Sequence, residues 1–183
     1  MFNRTKKTST IAAIAGGAML LLGGGAMAAS QQADPAPGDI GTSNCAATDF
    51  ALSMTPLPDK PGPAFALEIK NTSDKTCELN GGWPGVSGTD MTGEPVEQLP
   101  TENVQTPPAV DHFSLAPGQA AYAGVAVHEG AKSDPNSYVI SGFQAHLPDM
   151  PEQLVVDLPQ GAIEIPAKSL EVTEMVADPG QLS

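Results

Sequence analysis

Eighteen prolines are spread through this 183-residue chain, the first at Pro35 and the last at Pro179. Proline lacks a backbone donor and breaks helix interiors, so spacing this dense favours short extended runs. Between the prolines, apolar residues alternate. Phe50, Leu52 and Met54 oppose Ala51 and Ser53, and Phe65, Leu67 and Ile69 oppose Ala66, Glu68 and Lys70. Val125 and Val127 continue the pattern with His128 on the other face. Val139, Phe143, Ala145 and Leu147 interleave with Gly142, Gln144 and His146, while Leu154, Val156 and Leu158 flank Val155 and Asp157. Leu170 and Val172 flank Glu171. A two-residue period marks a half-buried strand, and Pro or Gly bounds each run. After residue 28 no apolar stripe of helical period lasts three turns. The pattern predicts an all-β fold, an antiparallel immunoglobulin-like sandwich of roughly seven to nine strands, over residues 44–177, with 178–183 as a C-terminal tail.

The first 28 residues read differently. Arg4, Lys6 and Lys7 precede the uncharged apolar run Ile11–Leu22, and Ala26-Met27-Ala28 offers small residues at the −3 and −1 positions of a cleavage site. This is the three-part pattern of a secretory signal peptide. A retained membrane anchor is the rival reading. The uncharged stretch from Thr10 to Met27 is only at the lower limit for spanning, and five glycines weaken a helix there. Residues 29–43, rich in Pro, Gly and Ala, read as a flexible lead-in to the domain.

Removal of that segment leaves 21 acidic residues against five lysines and no arginine. Nucleic-acid binding needs clustered Lys and Arg to displace counterions, and adsorption to anionic lipid needs the same sign of charge. Both partner classes are therefore excluded from the expectation, and self-repulsion favours a soluble monomer. The two cysteines, Cys45 and Cys77, form an even pair in an exported chain, where a disulfide is the default. Their separation is unlike that of a C-x-x-C redox or zinc motif.

Two stretches carry a resemblance. One runs Leu67-Glu68-Ile69-Lys70-Asn71-Thr72-Ser73 and resumes as Thr76-Cys77-Glu78-Leu79-Asn80-Gly81-Gly82-Trp83-Pro84-Gly85-Val86. The other is Leu115-Ala116-Pro117-Gly118-Gln119-Ala120-Ala121-Tyr122-Ala123. Together they resemble domain-of-unknown-function family 4232 of secreted actinobacterial proteins. In that family a strand ends in an Asn-Thr-Gly-like turn, a Cys-Thr-Leu-x-Gly-Tyr-Pro-Gly-Val stretch follows, and a Leu-x-Pro-Gly turn opens a long strand. The shared motifs are turns rather than chemistry, so the resemblance implies an exported immunoglobulin-like sandwich and no activity.

Catalytic and metal-binding patterns are weak. His112, His128 and His146 lie far apart in sequence, and no Gly-x-Ser-x-Gly or Ser-x-x-Lys motif accompanies them. No catalytic residue, cofactor or metal ligand is assigned. Met54, Met91, Met150 and Met175 with the three histidines could in principle form a soft copper site, yet no two of these seven make a local ligand pair. Asp90-Met91-Thr92-Gly93-Glu94 and Ser133-Asp134-Pro135-Asn136 carry oxygen ligands but read first as turns. Asn71-Thr72-Ser73 matches a glycosylation sequon that a strand-ending turn also explains. Trp83, between glycines, either anchors a binding surface for a glycan or peptide or plugs the core beside Cys77. The expectation is an exported, non-enzymatic interaction module of the cell envelope or extracellular space, acting on a protein or glycan partner. The alternative is an exported metal-handling protein with His and Met ligands.

Overall fold

The computed structural model describes residues 45–105 and 110–182. The signal segment 1–28 and the lead-in 29–43 lie outside them. The described chain is all-β. Eleven strands follow one another: β1 (Phe50–Pro56), β2 (Ala64–Asn71), β3 (Cys77–Asn80), β4 (Gly85–Thr89), β5 (Thr101–Val104), β6 (His112–Leu115), β7 (Ala120–Glu129), β8 (Tyr138–Ile140), β9 (Gly142–Leu147), β10 (Met150–Asp157) and β11 (Ile165–Thr173). Single 3-10 turns cover Ala47–Asp49 and Pro179–Leu182. No described helix is long and apolar enough to cross a membrane.

Most strands join one mixed sheet in the order β4-β9-β10-β1-β2-β7-β11-β5, with β8 beside β11; β3 and β6 form a separate two-stranded ribbon. The sheet nearly closes on itself. Thr101 at the β5 end donates from Oγ1 to the Val86 carbonyl of β4, at 3.2 Å. The Trp83 indole N–H donates to the Val104 carbonyl, 2.8 Å away.

Two pairings correct the expected all-antiparallel arrangement. β1 runs parallel to β10, with Leu52 opposite Val156, and β5 runs parallel to β11, with Leu170 opposite Thr101. Both pairs join strands far apart in sequence, so no hairpin forces them to be antiparallel. The number of strands also exceeds the expected seven to nine. β3, β5 and β6 have four residues each and β8 has three, too few for alternation to stand out.

Burial follows the sequence pattern in the long strands. Phe50, Leu52 and Met54 are buried, as are Phe65, Leu67 and Ile69, and Val125 and Val127. Phe143, Ala145 and Leu147 face the same core, where the Phe65 and Phe143 rings meet edge to face with centroids 5.6 Å apart. Val139 departs from its expected set and is exposed, while Ile140 is fully buried. Ser141 breaks the run between β8 and β9, and one residue of slip turns every following side chain to the opposite face. Ser141 is held there by its N–H on the Thr89 carbonyl at 2.7 Å.

The second face of the β2–β7 region is also covered. Ala66 packs with Val176 and Leu182, flanked by Leu57 and Tyr122. The last described residues, expected as a tail, thus end in a buried leucine.

Candidate functional site

Cys45 and Cys77 are joined in a disulfide, with Cα atoms 5.7 Å apart. It ties the chain just ahead of β1 to the first residue of β3. Asp49 lies beside it. Its carboxylate accepts the Ala46 N–H at 3.0 Å and pairs with Lys75 at 3.2 Å. These contacts, the backbone bond first and Lys75 second, hold the Asp49 carboxyl below the usual carboxylate range. Cys45, Asp49 and Cys77 form a group of potential ligand atoms within 4.8 Å of one another. Both sulfurs are consumed by the disulfide and the carboxylate is engaged, so this group is a staple rather than a metal centre.

The sequon asparagine sits next to the staple. Asn71 is fully buried, and its Nδ2 donates to the Leu115 and Lys75 carbonyls, each at 2.7 Å. Its Oδ1 accepts from the Ser73 N–H and hydroxyl, at 2.9 and 2.7 Å. The nitrogen that would carry a glycan is therefore occupied and inaccessible, and the Asn-Thr-Ser run is a structural turn.

The two-stranded ribbon collects the most polar chemistry. Alternation puts Glu78 and Asn80 of β3 on the same face as Ser114 and His112 of β6, because Glu78 lies opposite Ser114 and Asn80 opposite His112. Ser114 Oγ donates to Glu78 Oε1 at 2.7 Å, and His112 Nε2 lies 2.9 Å from Glu78 Oε2. His112 Nδ1 lies 3.1 Å from Asn80 Oδ1. Asn80 Nδ2 in turn donates to Asp149, in the β9–β10 turn, which docks the ribbon on the main sheet. Asp149 itself adopts φ 60°, a left-handed conformation that aspartate tolerates better than most residues. A serine, a carboxylate and a histidine are therefore together, but not in the order of a Ser-His-carboxylate triad. A nucleophile needs the histidine on its hydroxyl and the carboxylate behind the histidine. Here Glu78 stands between the two.

The other histidines stand apart. His128 Nε2 is 3.4 Å from Glu171 Oε2 on the exposed face of β7 and β11. His146 lies 3.4 Å from the Gln153 amide, and its ring lies across Gly85, where a Cβ would come within 1.9 Å of the imidazole. The methionines are equally dispersed. Met54 and Met175 are fully buried in the core, Met150 packs against it from a half-buried position, and Met91 is 91% exposed in the β4–β5 connection.

Trp83 is half-buried at the closing seam of the sheet, where its N–H holds the end of β5. Gly82 precedes it with φ 104°, a conformation open to glycine, and its carbonyl accepts the Met175 N–H at 2.9 Å. The tryptophan loop thus bonds both to β5 and to the residues just after β11.

A cleft of about 590 Å³ opens beside β6. Its walls include His112 and Ser114 of β6, Gln119 of the following turn, Tyr122 of β7, Glu68 of β2 and Asp178. Burial first, then the negative charges of Glu68 and Asp178, pushes the Tyr122 phenol above its ordinary pKa. No lysine lines this cleft. Of these residues only His112 stood out in the sequence. Ser114 becomes visible once β3 and β6 are paired, and Glu68 and Tyr122 once β2 and β7 are set in register.

Comparison with curated proteins and with solved structures gives no match. The family model described as "Domain of unknown function (DUF4232)" matches residues 45–176, which spans both β3 and β6 with their turns and all eleven strands. The chain belongs to that family.

Proposed function

We propose that this chain is an exported, non-enzymatic recognition module of the cell envelope or extracellular space, an immunoglobulin-like scaffold that presents a strand edge and loops to a protein or glycan partner. The observation that carries this reading is the order Ser114–Glu78–His112 at the edge of the cleft beside β6. That order leaves the serine hydroxyl on a carboxylate rather than on the imidazole of a Ser-His-carboxylate triad, while the cleft remains open to a partner. The disulfide is in keeping with an oxidising compartment, and residues 1–28 supply the export signal. The charge balance of 21 acidic residues against eight basic ones favours a partner that is not an anionic polymer.

Photo-cross-linking in native cells tests the reading. A photoreactive residue at Gln119, in the cleft, should give one discrete, saturable adduct in the envelope or medium, while one at Val155, exposed on β10, should not. Turnover of a substrate that is abolished by Ser114→Ala or His112→Ala would contradict the reading.

A further inference from the structure

Within the recognition-module reading, we propose that the outer edge of β6 is a docking strand for an extended, lysine- or arginine-bearing segment of a partner protein, which adds to the ribbon as a third strand in the 590 Å³ cleft. The backbone supplies the first half of the argument. In the β3–β6 pair, Gly81 N–H donates to the Asp111 carbonyl at 2.8 Å. Gly81 and Asp111 continue the register that sets Asn80 opposite His112 and Leu79 opposite Phe113. Hydrogen-bonded and non-bonded pairs alternate along an antiparallel ladder. Leu79 and Phe113 therefore bond across the ribbon, and the N–H and C=O groups of His112 and Ser114 point the other way. No described residue pairs with those outward groups. β6 has a partner strand on one side only, and its other side lines the cleft. An unpaired row of donors and acceptors is a template for strand addition.

Charge identifies the occupant. Glu68 of β2 and Asp178 face the cleft across from β6, and both raise the pKa of the Tyr122 phenol between them. Among the described residues no lysine or arginine lines the cleft to offset them, and the one histidine there, His112, is already paired with Glu78. A strand laid along β6 sends alternate side chains toward the protein, and a lysine or arginine there meets two carboxylates. Tyr122 adds an aromatic surface for the cation and its aliphatic stem. An acidic strand would bring like charge into the same place.

The probes are acetylated, amidated hexapeptides in which lysine alternates with threonine and valine, matched by peptides with glutamate in place of lysine. Binding to the purified protein is followed by amide NMR and hydrogen exchange. The lysine peptides should bind, slow the exchange of the His112 and Ser114 amides, and leave those of Phe113 and Leu79 unchanged. Ser114→Pro removes one outward N–H without touching the ladder to β3, and should weaken binding by about tenfold. Ser114→Ala, which also loses the hydroxyl bonded to Glu78 but keeps the outward N–H, is the reference against which the tenfold loss is read. Glu68→Gln with Asp178→Asn should weaken binding several-fold and flatten its salt dependence. Equal binding of the glutamate peptides, protection of another edge such as β5, or a dimer protected at His112 and Ser114 would each overturn the proposal. So would failure of the lysine peptides to bind. If the Gln119 photo-adduct persists in any of those cases, the recognition reading survives and the docking strand alone is wrong.

Discussion

The Asn71 side chain and the Leu115 carbonyl are joined by a 2.7 Å hydrogen bond across 44 residues of sequence, and through it the two turn motifs of the family meet. The backbone repeats the connection, since Gly118 N–H donates to the Asn71 carbonyl and Asn71 N–H to the Gln119 carbonyl. The Asn-Thr-Ser turn beside the disulfide and the Leu-Ala-Pro-Gly turn that opens β7 are thus one structural unit. It ties the turn between β6 and β7, which lines the cleft, to the end of β2.

Asn71→Ala should therefore be costly. It leaves the buried Leu115 carbonyl without its partner, at about 1–3 kcal/mol, and also removes the part-buried bonds to the Lys75 carbonyl and the Ser73 N–H. Asn71→Asp, although nearly isosteric, should be at least as damaging, because it places a buried carboxylate against two carbonyls. Urea denaturation of both variants checks the order. Mass spectrometry of the parent protein should find Asn71 unmodified.

Removal of the staple is the second test. The loop closed by Cys45 and Cys77 follows a sequence separation of 32, for which chain entropy gives about 3.7 kcal/mol as an upper figure. Cys45→Ser should lower the melting temperature and leave the folded protein β-rich by circular dichroism. Non-reducing peptide mapping of the parent should recover the two cysteines in one linked fragment.

Acid should erode stability gradually. Asp49, Asp90, Asp134 and Glu164 all have carboxyl pKa values below their ordinary ones. For Asp134 and Glu164 the leading cause is a hydrogen bond from lysine, Lys168 at 2.7 Å and Lys132 at 2.5 Å. A carboxyl that is more acidic when folded adds stability above its unfolded pKa of about 4, and that contribution disappears as pH falls through the folded value. The urea midpoint should hold down to about pH 5 and fall below it. Because none of the four groups is buried, 1 M salt should reduce the effect, and Asp134→Asn with Glu164→Gln should flatten the acid limb.

Trp83→Phe separates the two roles open to that residue. The ring remains and the N–H bond to Val104 is lost, at about 0.5–1.5 kcal/mol. Faster amide exchange in β5 with unchanged partner capture would mark Trp83 as the clasp of the sheet; lost capture at unchanged stability would mark it as a binding anchor.

What the sequence made legible was governed by strand length. Alternation over Phe50–Met54, Phe65–Lys70 and Val125–His128 announced the core-facing sides of β1, β2 and β7, and Gly and Pro marked the ends of the runs. The cysteine pair was readable because only one pairing was available. The ribbon was not, since Glu78-Leu79-Asn80 and His112-Phe113-Ser114 acquire a shared polar face only when brought into register. Parallel pairing of β1 with β10 and of β5 with β11 leaves no local mark either, because it depends on contacts about 70 to 100 residues apart.

Hydrogen exchange at four amides of the unliganded protein bears most directly on the recognition edge. Phe113 and Leu79, bonded across the ribbon, should exchange slowly, while His112 and Ser114 should exchange near the rate of an unstructured peptide. Protection of His112 and Ser114 equal to that of Phe113 would mean that the outer edge of β6 is already paired, and would contradict its role as a surface held open for a partner.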